Sequence, residues 1–323
     1  MSGAQARNDP DRAPLLSVRG LGVRIGGRAV VAGVSFDVRA GRTLAIVGES
    51  GSGKSMTALS LMGLLPPGAR TTGSARLADR PGEPDIEVIG LAPFRHRALR
   101  GGRVAMIFQE PMTALNPVMT IGEQLDEAFR LHAGLSAREA RAASHAALTA
   151  VAVPDASSRL DDYPHQFSGG MRQRVLIAMA LAGSPGVLIA DEPTTALDAS
   201  LRAGVLELLS TQRASRGLGV VLISHDLGLV AGHADEVLVM YAGHPVEAGP
   251  AGAVLRDPLH PYTRCLVGCV PDATTRGRRL ATLAELGAED RARPVHGRRP
   301  WWPGEPAPAE WLAAEAGRFV SVA

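Results

Sequence analysis

The sequence predicts an α/β fold built on a mostly parallel sheet, and three observations carry that prediction. Short, wholly apolar runs recur along the chain: Leu44-Ala45-Ile46-Val47, Val104 to Phe108, Val187-Leu188-Ile189-Ala190 and Val220-Val221-Leu222-Ile223. Helical patterns separate them, and this alternation is what parallel strands covered on both faces produce. The first run opens directly onto Gly48-Glu49-Ser50-Gly51-Ser52-Gly53-Lys54-Ser55, a glycine loop between strand and helix. Polar residues close each strand, so the site is expected along the carboxyl edge of the sheet.

In order, the chain begins with a polar stretch, Met1 to Pro14, that lacks the apolar core of a signal peptide and reads as a disordered leader. Apolar residues then alternate through Leu21, Val23 and Ile25, and again through Val34, Phe36 and Val38, on either side of Gly26-Gly27. Antiparallel strands ahead of the glycine loop are the expectation. After the loop, Ala58, Leu61, Met62 and Leu65 share one helical face from Met56 onward, and Pro66-Pro67-Gly68 ends that helix. Residues 71–100 are expected to be rich in loops, with a turn at Pro81-Gly82 and a short strand at Ile86-Glu87-Val88.

The strand ending at Phe108 is closed by Gln109-Glu110-Pro111, and helical patterns run from Ile121 to Ala152 with a break at Gly134. Tyr163 to Arg174 contains Ser168-Gly169-Gly170 and opens an apolar helix. Asp191-Glu192-Pro193 closes the next strand, a helix covers Leu201 to Ser210, and Ser224-His225-Asp226 closes the strand after it. Val237 to Met240 and Gly243 to Glu247 read as a final hairpin. Beyond Gly249-Pro250 the character changes. His260-Pro261-Tyr262-Thr263-Arg264 opens a short helix that stops at Pro271. Arg276 to Arg299 mixes arginines with Glu285, Glu289 and Asp290, the composition of a solvated surface. Trp301, Trp302 and Trp311 are expected to anchor the tail onto the main body.

Composition narrows the function classes. A formal net charge of +2, with 20% charged residues, gives no strong field for a nucleic-acid or acidic partner. The longest apolar candidate, Val175 to Ala182, falls far short of the roughly 20 residues that span a bilayer. A soluble cytoplasmic protein, working at a membrane only from outside the lipid, is the expectation. The two cysteines, Cys265 and Cys269, read as packed thiols in a reducing compartment rather than as a disulfide or metal site.

The glycine loop fits G-x-x-x-x-G-K-[ST], whose backbone N–H groups curl around a polyphosphate while the helix start adds partial positive charge. Lys54 would reach the β- and γ-phosphates and Ser55 would give its hydroxyl to Mg²⁺. Of 34 lysines and arginines, Lys54 is the one lysine. Arginine is the cation everywhere else, but its planar fork does not replace a compact ammonium inside a tight loop. A phosphate loop alone leaves kinases, GTPases and motors open. Asp191, ending an apolar strand, could hold Mg²⁺ through water. Glu192 is placed to orient and deprotonate a water for attack on the γ-phosphate. Ser168-Gly169-Gly170 before a helix is a second anion-ready N-terminus, which the nucleotide of a second subunit could use.

Together these segments resemble the ATP-binding subunits of ABC transporters. The matching motifs are the phosphate loop at 48–55, Gln109 of the Q-loop, the signature at 168–173, Asp191-Glu192, the D-loop Ala196-Leu197-Asp198 and the switch His225. Residues 108–117, 167–174 and 260–264 are similar to the oligopeptide, dipeptide and nickel permease group within that family. The resemblance implies a P-loop ABC-type nucleotide-binding domain over residues 15–250, with a helical subdomain near 109–174. A C-terminal extension of the oligopeptide-permease type would follow over 251–323. It implies ATP and Mg²⁺ as ligands, with Gly48, Ser50, Gly51, Ser52, Gly53, Lys54, Ser55 and Met56 around the phosphates. In a head-to-tail dimer, Ser168, Gly169 and Gly170 would complete the partner's site and Asp198 would tie the two sites together. Glu192 would be the general base, His225 would hold the γ-phosphate, and Gln109 would touch Mg²⁺ and the lytic water. The partners implied are two membrane permeases, an external substrate-binding protein and a second ATPase subunit. Met171, where many signatures carry glutamine, favours a paralogue over a second copy as that subunit.

Two departures from the family pattern stand out. Ile25 occupies the place of an adenine-stacking aromatic, so aliphatic packing and weaker discrimination among purines are expected. Some relatives carry a cysteine-rich C-terminal segment resembling an iron–sulfur site. Two cysteines cannot supply four ligands, and no cluster is expected here. The rival readings are a soluble ABC ATPase acting on ribosomes or DNA, and a regulatory subunit that binds ATP without turnover. The first lacks its usual tandem domains or coiled coils here. The second is opposed by intact Lys54, Asp191, Glu192 and His225.

Overall fold

The computed structural model describes residues 13–78, 84–109, 114–195, 197–269, 293–302 and 310–322. The first strands in chain order are β1 (Leu16–Ile25), β2 (Arg28–Val38) and β3 (Thr43–Val47), followed by helix α1 (Lys54–Leu61). Next come β4 (Arg70–Leu77), β5 (Ile86–Glu87), α2 (Pro93–Leu99) and β6 (Val104–Ile107). A helical stretch holds α3 (Ile121–Ala133), α4 (Ala137–Ala150), α5 (Ala156–Arg159) and α6 (Gly169–Ala180). Then β7 (Val187–Asp191), α7 (Ala199–Arg216), β8 (Gly219–Ser224), α8 (Leu227–His233), β9 (Glu236–Tyr241) and β10 (His244–Pro250) alternate. The chain closes with α9 (Ala251–Arg256), α10 (Pro261–Gly268), β11 (Glu310–Ala314) and β12 (Arg318–Val322).

The chain divides into two units, one holding residues 1–16, 38–42 and 91–221, the other residues 17–37, 43–90 and 222–323. In the first, β6 and β7 run parallel with Val104 opposite Val187 and Ile107 opposite Ala190. β7 is buried at every residue, as a strand covered on both faces must be. Helix α3 packs on α4 and both pack on α6. Two reciprocal caps fix where α3 and α4 begin. The Thr120 hydroxyl accepts from Glu123 N while Glu123 accepts from Thr120 N, and Ser136 and Glu139 repeat the exchange. Gly134, at φ 68°, ends α3 at the expected break.

In the second unit, β1 and β2 are joined by Gly26-Gly27, both at positive φ, 55° and 81°. That is the two-residue turn an antiparallel hairpin favours. Ala242-Gly243, at 46° and 86°, repeats the device between β9 and β10. β3 runs parallel to β9, with Val47 opposite Val239. β12 then pairs antiparallel with β10, and β11 with β12.

Several expectations are corrected. Residues 71–100 are less loop-rich than their composition suggests, because β4 and α2 lie within them. Gly73, at φ 89°, breaks the alternation that would have revealed β4. α1 begins at Lys54 rather than Met56 and stops at Leu61, short of Leu65, just before Gly63 turns to φ 60°. α7 extends well past Ser210. Of the three tryptophans, Trp301 and Trp302 are buried, but Trp311 is 41% exposed on β11. Val295, Val320 and Val322 form a small core beside them, against Leu259 and Leu312. The leader, the Pro81-Gly82 turn, Glu110-Pro111, Ala196 and most of the arginine-rich stretch lie outside the described residues. Cys265 sits within α10 and Cys269 caps its end, both half-buried.

Candidate functional site

Both units place their polar residues by the same rule: paired parallel strands end together, so the residues just beyond them meet at one edge. In the second unit this brings Gly48 against the end of β9. A Cβ on Gly48 would stand 2.1 Å from the Met240 carbonyl, and its φ is 146°. A Cβ on Gly53 would stand 2.7 Å from the Val30 carbonyl, at φ 99°. The loop therefore needs glycine at both positions for its backbone path and for the close passage of β2 and β9. Gly51, at φ 79°, has nothing within 4 Å of the same point, so that side of the loop is open. Gly243 N donates to Ser52 O at 3.1 Å, fastening the loop to the β9–β10 turn.

Lys54 is only 4% exposed. Its Nζ donates to the carbonyls of Gly48 (2.8 Å) and Glu49 (2.7 Å) and lies 3.4 Å from Ser52 Oγ. These partners are neutral oxygens of its own loop, so the buried ammonium is held in place with its charge intact. Ser50 is exposed, Ser52 buried, and Ser55 and Met56 half-buried on the first turn of α1. Ile25 ends β1 in this unit, half-buried beside the Gly26-Gly27 turn. His225, also here, is exposed just after β8. Its loop is shaped by Asp226, whose N–H donates to Ser224 Oγ at 3.0 Å and whose carboxylate caps α8 through Leu229 N at 3.1 Å.

The first unit holds the remaining candidates. Gln109 and Glu192 each lie two residues past the last paired positions, Ile107 and Ala190, and Gln109 Nε2 donates to Glu192 Oε2 at 3.2 Å. Thr195 Oγ1 donates to the same oxygen at 2.8 Å. Glu192 has φ 47°, a left-handed backbone that costs a non-glycine residue about 1–2 kcal/mol and is stored where a side chain must be aimed. Asp191 is 4% exposed at the end of β7. Ser168 N-caps α6, accepting from Met171 N at 3.4 Å, and Arg172 Nε ties the helix start to Pro164 O at 2.7 Å. Gly169 is half-buried and Gly170 buried, where a Cβ would come within 3.1 Å of Leu201. Asp198 is exposed and caps α7 through Leu201 N at 3.0 Å.

Two residues near these groups escaped the sequence reading. Thr195 is one, legible in hindsight only as a hydroxyl three residues past Glu192. Tyr262 is the other: its Oη accepts from Glu49 N at 3.1 Å across 213 residues of sequence. It lies in a noticed motif, but no local signal tells that it reaches the glycine loop.

Comparison with known proteins identifies the family. Residues 31–195 match the ABC transporter family, and residues 246–297 match the family described as oligopeptide/dipeptide transporter, C-terminal region. A putative peptide import ATP-binding protein of Brucella abortus is 48% identical over 287 residues, covering 87% of this chain and 85% of that protein. The oligopeptide transport ATP-binding protein OppD of Salmonella typhimurium is 49% identical over 250 residues, covering 77% and 73%. Among solved structures, a dimeric ATP-binding cassette in a post-hydrolysis state with ADP and Pi aligns with a TM-score of 0.62 at 23% identity. It covers 73% of this chain and 98% of its own, a likeness of fold. With a family match over 165 residues (31 to 195) out of 323 and relatives near half identity over most of both chains, the chain belongs to the ABC transporter family, as one of its ATP-binding, ATP-hydrolysing subunits.

Proposed function

We propose that this ATPase energises an importer for di- or oligopeptides, or nickel, from the cytoplasmic face of the membrane. The observation that carries the cargo class is the match of residues 246–297 to the oligopeptide/dipeptide C-terminal region, alongside relatives named for peptide import. Among the described residues no helix is long and apolar enough to cross a membrane. The path for cargo therefore belongs to separate permease subunits, with an external binding protein choosing the substrate. The ATPase domain is assigned to residues 15–250, with its helical subdomain near 109–174, and the extension to 251–323.

ATP binds with its phosphates in the loop at 48–55. The open side at Gly51 and the buried ammonium of Lys54 fit a polyphosphate. The hydroxyl of Ser55 and the carboxylate of Asp191 are hard oxygen donors suited to Mg²⁺, as is the amide oxygen of Gln109. When bound, Mg²⁺ supplies neutralisation of the phosphate charge. Lys54 donates to the β- and γ-phosphate oxygens. Ile25 packs on the base. Glu192 takes the proton of the attacking water, Gln109 helps orient that water, and His225 donates to the γ-phosphate. Ser168 and the N–H groups of Gly169 and Gly170 serve the nucleotide of the second ATPase subunit, and Asp198 couples the two sites. Met171 favours a paralogue as that subunit. ATP stabilises the closed dimer and its hydrolysis products do not, so each turnover moves the permeases.

The deciding experiment is a mild-detergent pull-down of the tagged chain from its own membranes, with partners identified by mass spectrometry. Two permeases, a second ATPase and a binding protein are expected, and that binding protein can then be titrated with peptides and Ni²⁺. Ribosomal or DNA-repair proteins without any permease would overturn the proposal.

A further inference from the structure

A side chain of the C-terminal region touches the phosphate loop. The peptide between Gly48 and Glu49 is held at both ends: its carbonyl accepts from Lys54 Nζ at 2.8 Å, and its N–H donates to Tyr262 Oη at 3.1 Å. One side of this clamp is the phosphate-binding lysine. The other lies within residues 246–297, the stretch that matches the oligopeptide/dipeptide transporter C-terminal region.

Tyr262 is fixed before it reaches the loop. Its side chain is fully buried, and its ring lies 4.4 Å from that of Tyr241. Its own N–H donates to His260 Nδ1 at 3.1 Å. That bond makes Nδ1 an acceptor and puts the imidazole proton on Nε2, which donates to Trp301 O at 3.0 Å. The Glu247 carboxylate receives the N–H groups of Leu259 and His260, at 2.9 Å each. Trp302 closes the ring cluster, 5.0 Å from His260 and 5.9 Å from Tyr241. A phenol held from so many sides presents its oxygen at one place, and that place is the loop peptide.

We infer that Tyr262 is a positioning residue of the ATP site, and that through it the phosphate loop and the C-terminal region are thermodynamically linked. The inference rests on the reading of residues 48–55 as the ATP site. Tyr262 holds the Gly48–Glu49 peptide in the orientation that aims its carbonyl at Lys54, so the ammonium is in place before phosphate arrives. Linkage is reciprocal: if the extension sharpens ATP binding, bound ATP must tighten the extension by the same factor. A binding event on the extension would thereby reach the ATP site without touching the catalytic carboxylate.

The test uses the full chain and three variants: Tyr262→Phe, which keeps the ring and removes one hydroxyl, Trp302→Phe, which disturbs the same cluster away from the loop, and Lys54→Ala. The readouts are MgATP affinity by titration with a fluorescent ATP analogue, and hydrogen exchange of residues 259–268 with and without MgATP. Tyr262→Phe is expected to weaken MgATP binding about threefold to tenfold, the range for one lost hydrogen bond. MgATP should slow exchange in 259–268 in the wild type and lose most of that effect in Tyr262→Phe. Unchanged affinity in Tyr262→Phe, an equal loss in Trp302→Phe, or no effect of MgATP on wild-type exchange would each overturn the inference. A wild type that binds no MgATP, with Lys54→Ala no different, would overturn the ATP-site reading itself.

Discussion

Gln109 Nε2 donates a hydrogen bond to Glu192 Oε2 over 3.2 Å, although 83 residues separate them in the chain. The parallel pairing of β6 with β7 brings them close, since each residue sits two positions past the last paired residue of its strand, Ile107 or Ala190. Thr195 Oγ1 also donates to Oε2, at 2.8 Å. Replacing Glu192 by glutamine preserves shape and removes the basic carboxylate. ATP hydrolysis should fall by about 100-fold or more while ATP binding is retained. Gln109→Ala should cost about tenfold, the scale of one hydrogen bond to a charged group. A phosphate-release assay beside an ATP-binding titration separates the two effects.

Lys54 should tolerate no replacement, not even the other cation. At 4% exposure, with two carbonyls within 2.8 Å, its pocket takes a compact ammonium. Arginine is planar and longer and would have to leave these carbonyls. Lys54→Arg and Lys54→Ala should both weaken ATP binding by about 100-fold, on the order of 3 kcal/mol. The check is the same titration.

The glycines of the loop should rank in an order that their surroundings set. Gly51→Ala carries only the strain of a left-handed backbone, about 1–2 kcal/mol, because nothing lies within 4 Å of the new methyl. Gly48→Ala and Gly53→Ala add collisions with the Met240 and Val30 carbonyls, at 2.1 and 2.7 Å, which side-chain motion cannot relieve. Thermal melts should show a loss of a few degrees for Gly51→Ala and clearly larger losses for the other two.

Acidification should loosen the C-terminal region. Burial depresses His260 to about 4, from an ordinary value near 6.5. In that window the unfolded chain binds a proton that the folded one refuses. Stability is therefore fully present above about 6.5 and is lost as pH falls toward 4, by up to roughly 3 kcal/mol. Glu247, raised by burial, acts in the opposite sense, losing stability as pH climbs through its own range, so the net slope is shallower than the histidine alone would give. The fluorescence of Trp301 and Trp302 reports the change directly. His260→Gln should flatten the wild-type acid transition between pH 6.5 and 4.

The sequence by itself determined the elements whose cause is local. Strand, glycine loop and helix at 43–61 follow from a buried apolar run, from residues that accept positive φ, and from a helical apolar face. The Gly26-Gly27 hairpin turn and the Gly134 helix end follow from backbone freedom at single residues, and the carboxylates at the end of β7 from the place where an apolar run stops. Only the tertiary structure decided which distant groups meet. That the tail adds β12 to β10, with Glu247 opposite Val320, depends on strand register, and no residue of either strand encodes its partner. That Trp301 is buried while Trp311 stays exposed depends on what the neighbouring chain leaves open. That Tyr262 closes on Glu49 depends on a histidine, a glutamate and a tryptophan carbonyl from three separate segments. Short-range backbone preference is written residue by residue, whereas long-range contact is a property of the packed whole.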